Sequence, residues 1–258
     1  MTVTRAVLPR EYGAYAELAF PVLSAFLAGG VSRAGLGFAL AVVAGFLVRE
    51  PLAVLNGVRG ARLAASLGAP ARRATLLLVA LGAIGALGGL WLAPPAARLG
   101  VLIPGAFAVG LAPALLRGRP KTLGAEVLVA FALAGMILPI GLCGTMTWKA
   151  AVLATSVWAA SFVLATLSVH AIKARAKPAL GGAWTLWATP ALGLAIPGGG
   201  LVGAVLGRVP MAVGLAVVPS ALVVLAATVL RPHPRQLKRL GWSLVAANVV
   251  TLALLVVG

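Results

Sequence analysis

The side chains able to do chemistry in this sequence gather where its apolar runs end. Between Leu47 and Arg73 the chain reads LVREPLAVLNGVRGARLAASLGAPARR, with five arginines (Arg49, Arg59, Arg62, Arg72, Arg73) against one acid, Glu50. Arg49 and Asn56 lie seven residues apart and share a helical face, with Arg59 about a turn further on. A guanidinium presents a planar fork of donors that matches phosphate or carboxylate oxygens. Arg49, Asn56, Arg59 and Arg62 are therefore candidates for an anion-binding rim. The same arginines also serve as a topology signal, and Asn56 can simply cap or bond a neighbouring helix.

Three further places hold candidate groups. In the opening PREYGAYAE, Arg10, Gly13 and Glu17 share a helical face, and Glu17 falls about a turn inside the apolar region. An ionised carboxylate is costly there, so it either meets a basic neighbour at headgroup level or faces the bundle interior. The stretch SVHAIKARAKP places His170 at a membrane boundary, followed by Lys173, Arg175 and Lys177. His170 reads as a polar anchor or as an acid–base group. Glu126 follows Lys121 by five residues, and its expected partner is Lys121 or Arg119, with a cavity-facing position as the alternative. His170 and His233 have no carboxylate or thiol neighbours at ligand spacing, so no metal and no cofactor is expected. The single Cys143 excludes an intrachain disulfide.

The elements that must position these groups follow from composition. The 258 residues are 62% hydrophobic and 10% charged, with mean hydropathy +1.09. A soluble domain carries roughly 25% charged residues, so lipid must solvate most of these side chains. The reading is an all-α, polytopic transmembrane helical bundle forming a single domain over residues 1–258. A β-barrel would alternate polar and apolar residues along strands of about ten, and the long apolar runs exclude it. About 20 apolar residues span a bilayer, which gives nine spans: 12–30, 34–55, 74–93, 99–116, 123–145, 149–171, 182–204, 209–230 and 238–257. The first has no small-residue cleavage site and is read as an uncleaved span. The seventh is expected to be broken by Pro190, Pro197 and Gly198–Gly200. Gly82, Gly85 and Gly88–Gly89 are read as helix packing.

The net charge of +17 comes from 21 Lys and Arg against four Glu, with no Asp. With nine spans, 17 of the cations fall on one side and four (Arg33, Arg98, Lys149, Arg208) on the other. Positive-inside bias then puts the N-terminus inside and the C-terminus outside, and the basic balance points to a membrane surface rather than nucleic acid.

Two resemblances add to this. Pro9 to Ala16 is similar to the PREHGAWA opening of the YwiC-like family of bacterial integral membrane proteins, with Tyr12 in place of the family's His and Tyr15 in place of its Trp. Arg119-Pro120-Lys121 followed by Glu126, and the His170-Ala-Ile-Lys-Ala-Arg175 ending of the sixth span, extend the match. It implies a multi-pass protein of the bacterial inner membrane and assigns no reaction. More distantly, the chain resembles the UbiA-type intramembrane prenyltransferases, which share nine spans and functional loops after spans two and six. Laid on Asn56, their first Asp motif falls on Gly57, Gly60 and Ala64; their second meets Leu167, Ala174 and Lys177. Every carboxylate that would hold magnesium is missing, so the resemblance implies the bundle and its cavity but not the metal-dependent ionisation of a diphosphate.

The leading expectation is a cytoplasm-facing cationic cavity that binds an anionic lipid, an isoprenoid phosphate among the candidates. Arg10, Arg49, Asn56, Arg59, Arg62, His170, Lys173 and Arg175 form its rim, with Glu17 or Tyr15 deeper. Two alternatives stay open. One is a metal-independent prenyl- or lipid-group transferase in the same cavity. The other is a small-anion or metabolite transporter, suggested by Glu17 and the interrupted seventh span.

Overall fold

In lipid every backbone N–H and C=O must be satisfied within its own segment, which leaves this composition helices as its only regular structure. The computed structural model describes residues 12–116, 122–177 and 182–257, and their regular structure is helical throughout. In chain order we label α1 (Tyr12–Gly29), α2 (Arg33–Leu47 continued by Arg49–Leu55), α3 (Ala61–Leu92), α4 (Pro95–Gly100 continued by Leu102–Leu116) and α5 (Leu123–Gly135 continued by Ile137–Leu142). They are followed by α6 (Trp148–Ala176), α7 (Thr185–Val205), α8 (Met211–Ala216 continued by Val218–Leu230) and α9 (Leu237–Val257). Among the described residues, eight helices are long and apolar enough to cross a bilayer, and Gly13–Gly29 is a shorter apolar one. The nine expected spans each have a helix.

Two expectations about the helices are corrected. The interruptions at Val48, Val101 and Met136 each stand three residues before a proline, Pro51, Pro104 and Pro139. Each proline lacks the N–H that would reach back four residues, and its ring crowds that carbonyl. The seventh span, by contrast, is unbroken: α7 runs from Thr185 to Val205 with Pro190 and Pro197 inside it. The second correction concerns α3, which begins at Ala61 and not near residue 74. Arg72 and Arg73 sit inside a continuous helix because Ala, Leu and Arg are all good helix formers. At 1.5 Å per residue its 32 residues measure about 48 Å, against roughly 30 Å of hydrocarbon. The first dozen or so residues of α3, with Arg62, Arg72 and Arg73, are surplus to the crossing.

The core forms around α6. Trp158 is fully buried, stacks on Phe20 of α1 (centroids 5.3 Å apart) and tilts against Phe162 at 5.5 Å. Its indole N–H donates to Ser24 Oγ at 2.8 Å, so the one polar atom of the ring is satisfied inside the bundle. Elsewhere helices approach backbone to backbone. A Cβ on Gly37 of α2 would stand 2.8 Å from the Gly85 carbonyl oxygen and the Gly89 nitrogen of α3, so the expected glycine packing is real, although Gly88 faces open space. At the bundle end opposite the arginine-rich turn, the α5–α6 connection rests on the end of α1. The Thr145 N–H and hydroxyl both donate to the Gly29 carbonyl, at 2.7 and 3.2 Å.

Candidate functional site

Alternation of the helices brings the start of α1, the end of α2, the starts of α3 and α5, and the ends of α6 and α8 to one end of the bundle. Glu17, Glu50 and Glu126 lie there, and so do all the candidate site residues within the described segments; Arg10 lies outside them. We call this the cationic end.

At the α2–α3 turn the chain reverses through Gly57 (φ +69°) and Gly60 (φ +101°), conformations that side-chain-bearing residues rarely adopt. The reversal swings Arg59 back over the last turn of α2. Its Nε donates to Glu50 Oε2 at 3.1 Å, and its Nη2 donates to Oε1 and Oε2 at 2.5 and 2.7 Å. Glu50 is buried, with 7% of its surface exposed. A carboxylate taken from water to this depth needs a paired, hydrogen-bonded cation, and Arg59 supplies it. The fork that the sequence offers to an external anion is thus directed at Glu50. Arg49 stands over the Phe46 ring, 5.3 Å from its centroid, in cation–π geometry, and Tyr15 of α1 meets the same ring edge-on at 5.4 Å. Asn56 is exposed at the end of α2, and Arg62, Arg72 and Arg73 are exposed on α3. Glu17 is half-buried in the second turn of α1.

On the other side of the site, His170 Nε2 lies 2.8 Å from Glu126 Oε2. The imidazole is nearly buried, at 5% side-chain exposure, while the carboxylate is 31% exposed. This corrects one expectation. The local partners expected for Glu126, Lys121 and Arg119, lie outside the described residues; among the described residues Glu126 meets His170. His170 in turn has the carboxylate that sequence spacing denied it, because α5 and α6 pack together along this length. An imidazole held by a carboxylate has a fixed orientation and can give or take a proton.

Lys173 is half-buried on α6. Arg175 reaches across to the end of α8, where Nη1 donates to the Ala227 carbonyl at 3.3 Å and Nη2 to that of Thr228 at 3.2 Å. Cations favour the carbonyl-rich end of a helix. A narrow cleft lies here, lined by Ser168, Arg175, Thr189 and Thr228 among others. Of the expected rim residues it touches Arg175 alone, and it is too tight to hold a small molecule. Among the described residues no group of three or more His, Cys, Asp or Glu could hold a metal ion.

Sequence reasoning passed over Glu50, counted only as the lone acid of a basic stretch, and Arg231, treated as one loop cation of many. The signal for Glu50 was its place immediately before Pro51 as the one acid of this basic stretch; nothing in the sequence singled out Arg231. In comparison with known proteins, the profile of a family described as YwiC-like protein matches residues 8–141. No curated protein and no solved structure matches the chain. The matched segment carries Glu50, Arg59 and Glu126, and the Glu126–His170 contact ties it to the remainder.

Proposed function

The chain belongs to the YwiC-like family, and we propose that this membrane protein uses its cationic end, facing the cytoplasm, to bind the phosphate-bearing headgroup of an anionic lipid. One observation carries the reading. Of the carboxylates at this end, Glu50 is engaged by Arg59 and Glu126 by His170. Arg62, Arg72 and Arg73 stay exposed, with no carboxylate partner among the described residues. Arg62 and Arg73 are three turns apart and project from one face of α3, which makes a row of guanidinium groups about 16 Å long. Such a row is neutralised by anions from outside the chain, and anionic headgroups at the cytoplasmic leaflet are the nearest supply. Arg10, Asn56 and Lys173 would border the row, with Glu17 and Arg49 behind it. An isoprenoid diphosphate carries the same chemistry as a phospholipid phosphate and competes for the same donors.

The test is a thermal-shift series on detergent-purified protein with short-chain phosphatidylglycerol, farnesyl diphosphate and short-chain phosphatidylcholine. A ligand at a hundred times its Kd adds about 2.7 kcal/mol to the folded state. Stabilisation by the anionic lipids and not by phosphatidylcholine is expected. Equal effects of all three would end the proposal.

A second reading, a lipid-group transferase that works without metal, draws on the Glu126–His170 pair. There His170 would take the proton of an acceptor while the arginines neutralise a leaving phosphate. Product formation that persists in EDTA and is lost in His170→Gln is its expected signature; no turnover with any isoprenoid diphosphate removes it.

A further inference from the structure

Beyond Glu126 the sequence contains no acid, yet Lys173 to Lys177 and Arg231 to Arg239 bring a dense set of cations to the ends of α6 and α8 and the start of α9. Glu50 neutralises Arg59, but this corner has no counterpart to it.

The side chain of one of these arginines and the backbone of another meet at a single carbonyl. The Ala227 carbonyl accepts Arg175 Nη1 at 3.3 Å and also the backbone N–H of Arg231 at 3.2 Å. The Arg175 guanidinium and the Arg231 backbone nitrogen thus meet at one acceptor, which places the root of the Arg231 side chain beside Arg175. No carboxylate among the described residues pairs with either. The backbone of Arg231 carries a second signal. It closes α8 in the left-handed region, with φ +47° and ψ +54°, and it is the only residue other than glycine with positive φ among those described. Glycine is the usual occupant of such a helix-ending position because it has no Cβ to clash. An arginine there keeps a guanidinium at this spot against the local backbone preference, and Pro232 immediately after it stiffens the exit.

From these observations, and resting on the anionic-headgroup reading above, we infer that Arg175 and Arg231 form a two-guanidinium subsite for one phosphate group. Arg175 commits two of its five N–H bonds to α8 carbonyls and keeps the others for a ligand. Arg231 is exposed, with its guanidinium unpaired by any carboxylate among the described residues. The adjoining cleft is too narrow to admit a headgroup. Its Ser168, Thr189 and Thr228 hydroxyls already donate to helix carbonyls at 2.6–2.7 Å. The phosphate therefore meets the two arginines from the membrane surface. The shared chemistry is a phosphate mono- or diester, carried by a lipid headgroup or a soluble phosphate.

The experiment uses full-length protein in neutral detergent, titrated with short-chain phosphatidylglycerol, phosphatidylcholine and inorganic phosphate, with thermal midpoint as readout. Wild type, Arg231→Gly, Arg231→Asn and Arg175→Gln are compared. Arg231→Gly relieves the left-handed strain, so its midpoint without ligand should equal or exceed wild type. Its phosphatidylglycerol-induced shift should fall below half the wild-type value, and Arg231→Asn, which also tolerates this backbone conformation, should behave alike. Inorganic phosphate that reproduces the shift assigns the subsite to a soluble phosphate; a shift with the lipid alone assigns it to a headgroup. A full wild-type response retained in Arg231→Gly and Arg175→Gln refutes the subsite and leaves the headgroup reading standing. No response of wild type to either anion overturns both.

Discussion

His170 and Glu126 are 44 residues apart in the chain and 2.8 Å apart in the fold. The contact joins α5 to α6 at the point where both leave the apolar part of the bundle. A hydrogen bond to a charged group contributes about 1.5–3 kcal/mol, and the group left behind when one partner is removed bears a desolvation cost. Glu126 is one-third exposed, so its share is discounted toward the lower end. Glu126→Gln and His170→Gln should each destabilise by about 1–2 kcal/mol, and the double variant by clearly less than their sum. Additive losses in a denaturation cycle would mean that the two side chains do not act on each other.

Arg59 and Arg62, three residues apart, are expected to separate stability from binding. Arg59→Ala strands the buried Glu50 carboxylate, and breaking such a pair costs up to about 3–5 kcal/mol. Partial exposure of the Arg59 side chain, 37%, lowers the expected loss to about 2 kcal/mol. Arg62→Ala touches no paired group and should leave the unfolding midpoint within error while weakening the response to phosphatidylglycerol. Equal destabilisation by both would contradict the pairing.

Gly57 and Gly60 of the α2–α3 turn are two of the positions on which the sequence reading laid the aspartates of the prenyltransferase motif. Gly60 has φ +101°, a conformation that excludes an aspartate without strain of about 1–3 kcal/mol. Gly60→Asp should therefore lower the thermal midpoint and confer no magnesium-dependent activity. A Gly57→Asp, Gly60→Asp variant as stable as wild type, with magnesium-stimulated turnover, would contradict this expectation.

The opposite end of the bundle offers a control on packing. A Cβ on Gly144 would overlap the Gly29 carbonyl, whereas one on Gly88 would meet nothing within 4 Å. Overpacking costs about 1–3 kcal/mol. Gly144→Ala should lose at least 2 kcal/mol, and Gly88→Ala should be neutral or slightly stabilising because alanine favours helix. Measured midpoints in the reverse order would contradict this close approach of α1 to the α5–α6 connection.

Much of the fold was readable in advance. With 10% charged residues and apolar runs of about 20, lipid is the only solvent that suits the chain, and helices are the only regular structure those runs can form in it. Errors came at the ends. Arg72 and Arg73 looked like the border of a span, but backbone hydrogen bonding does not stop where lipid does, and α3 continues into the aqueous side. Pro190 and Pro197 looked like breaks, yet α7 stays helical through both, while Pro51, Pro104 and Pro139 interrupt theirs. A proline deletes one hydrogen bond wherever it stands; whether the helix shifts in response depends on what packs around it.

The site was legible as a set of residue types and not as a set of pairs. The sequence by itself determined the helical class, the stretches where cations cluster and the lack of any aspartate, because each depends only on composition and on separation along the chain. Only the tertiary structure decided that Arg59 is engaged by Glu50, that His170 meets Glu126, that Trp158 is core and not interface, and that Arg175 and Arg231 share a carbonyl. A charge pairs with whatever lies within a few ångströms. In a bundle of antiparallel helices those neighbours are set by which helices pack side by side, a relationship that spacing along one strand of sequence does not record.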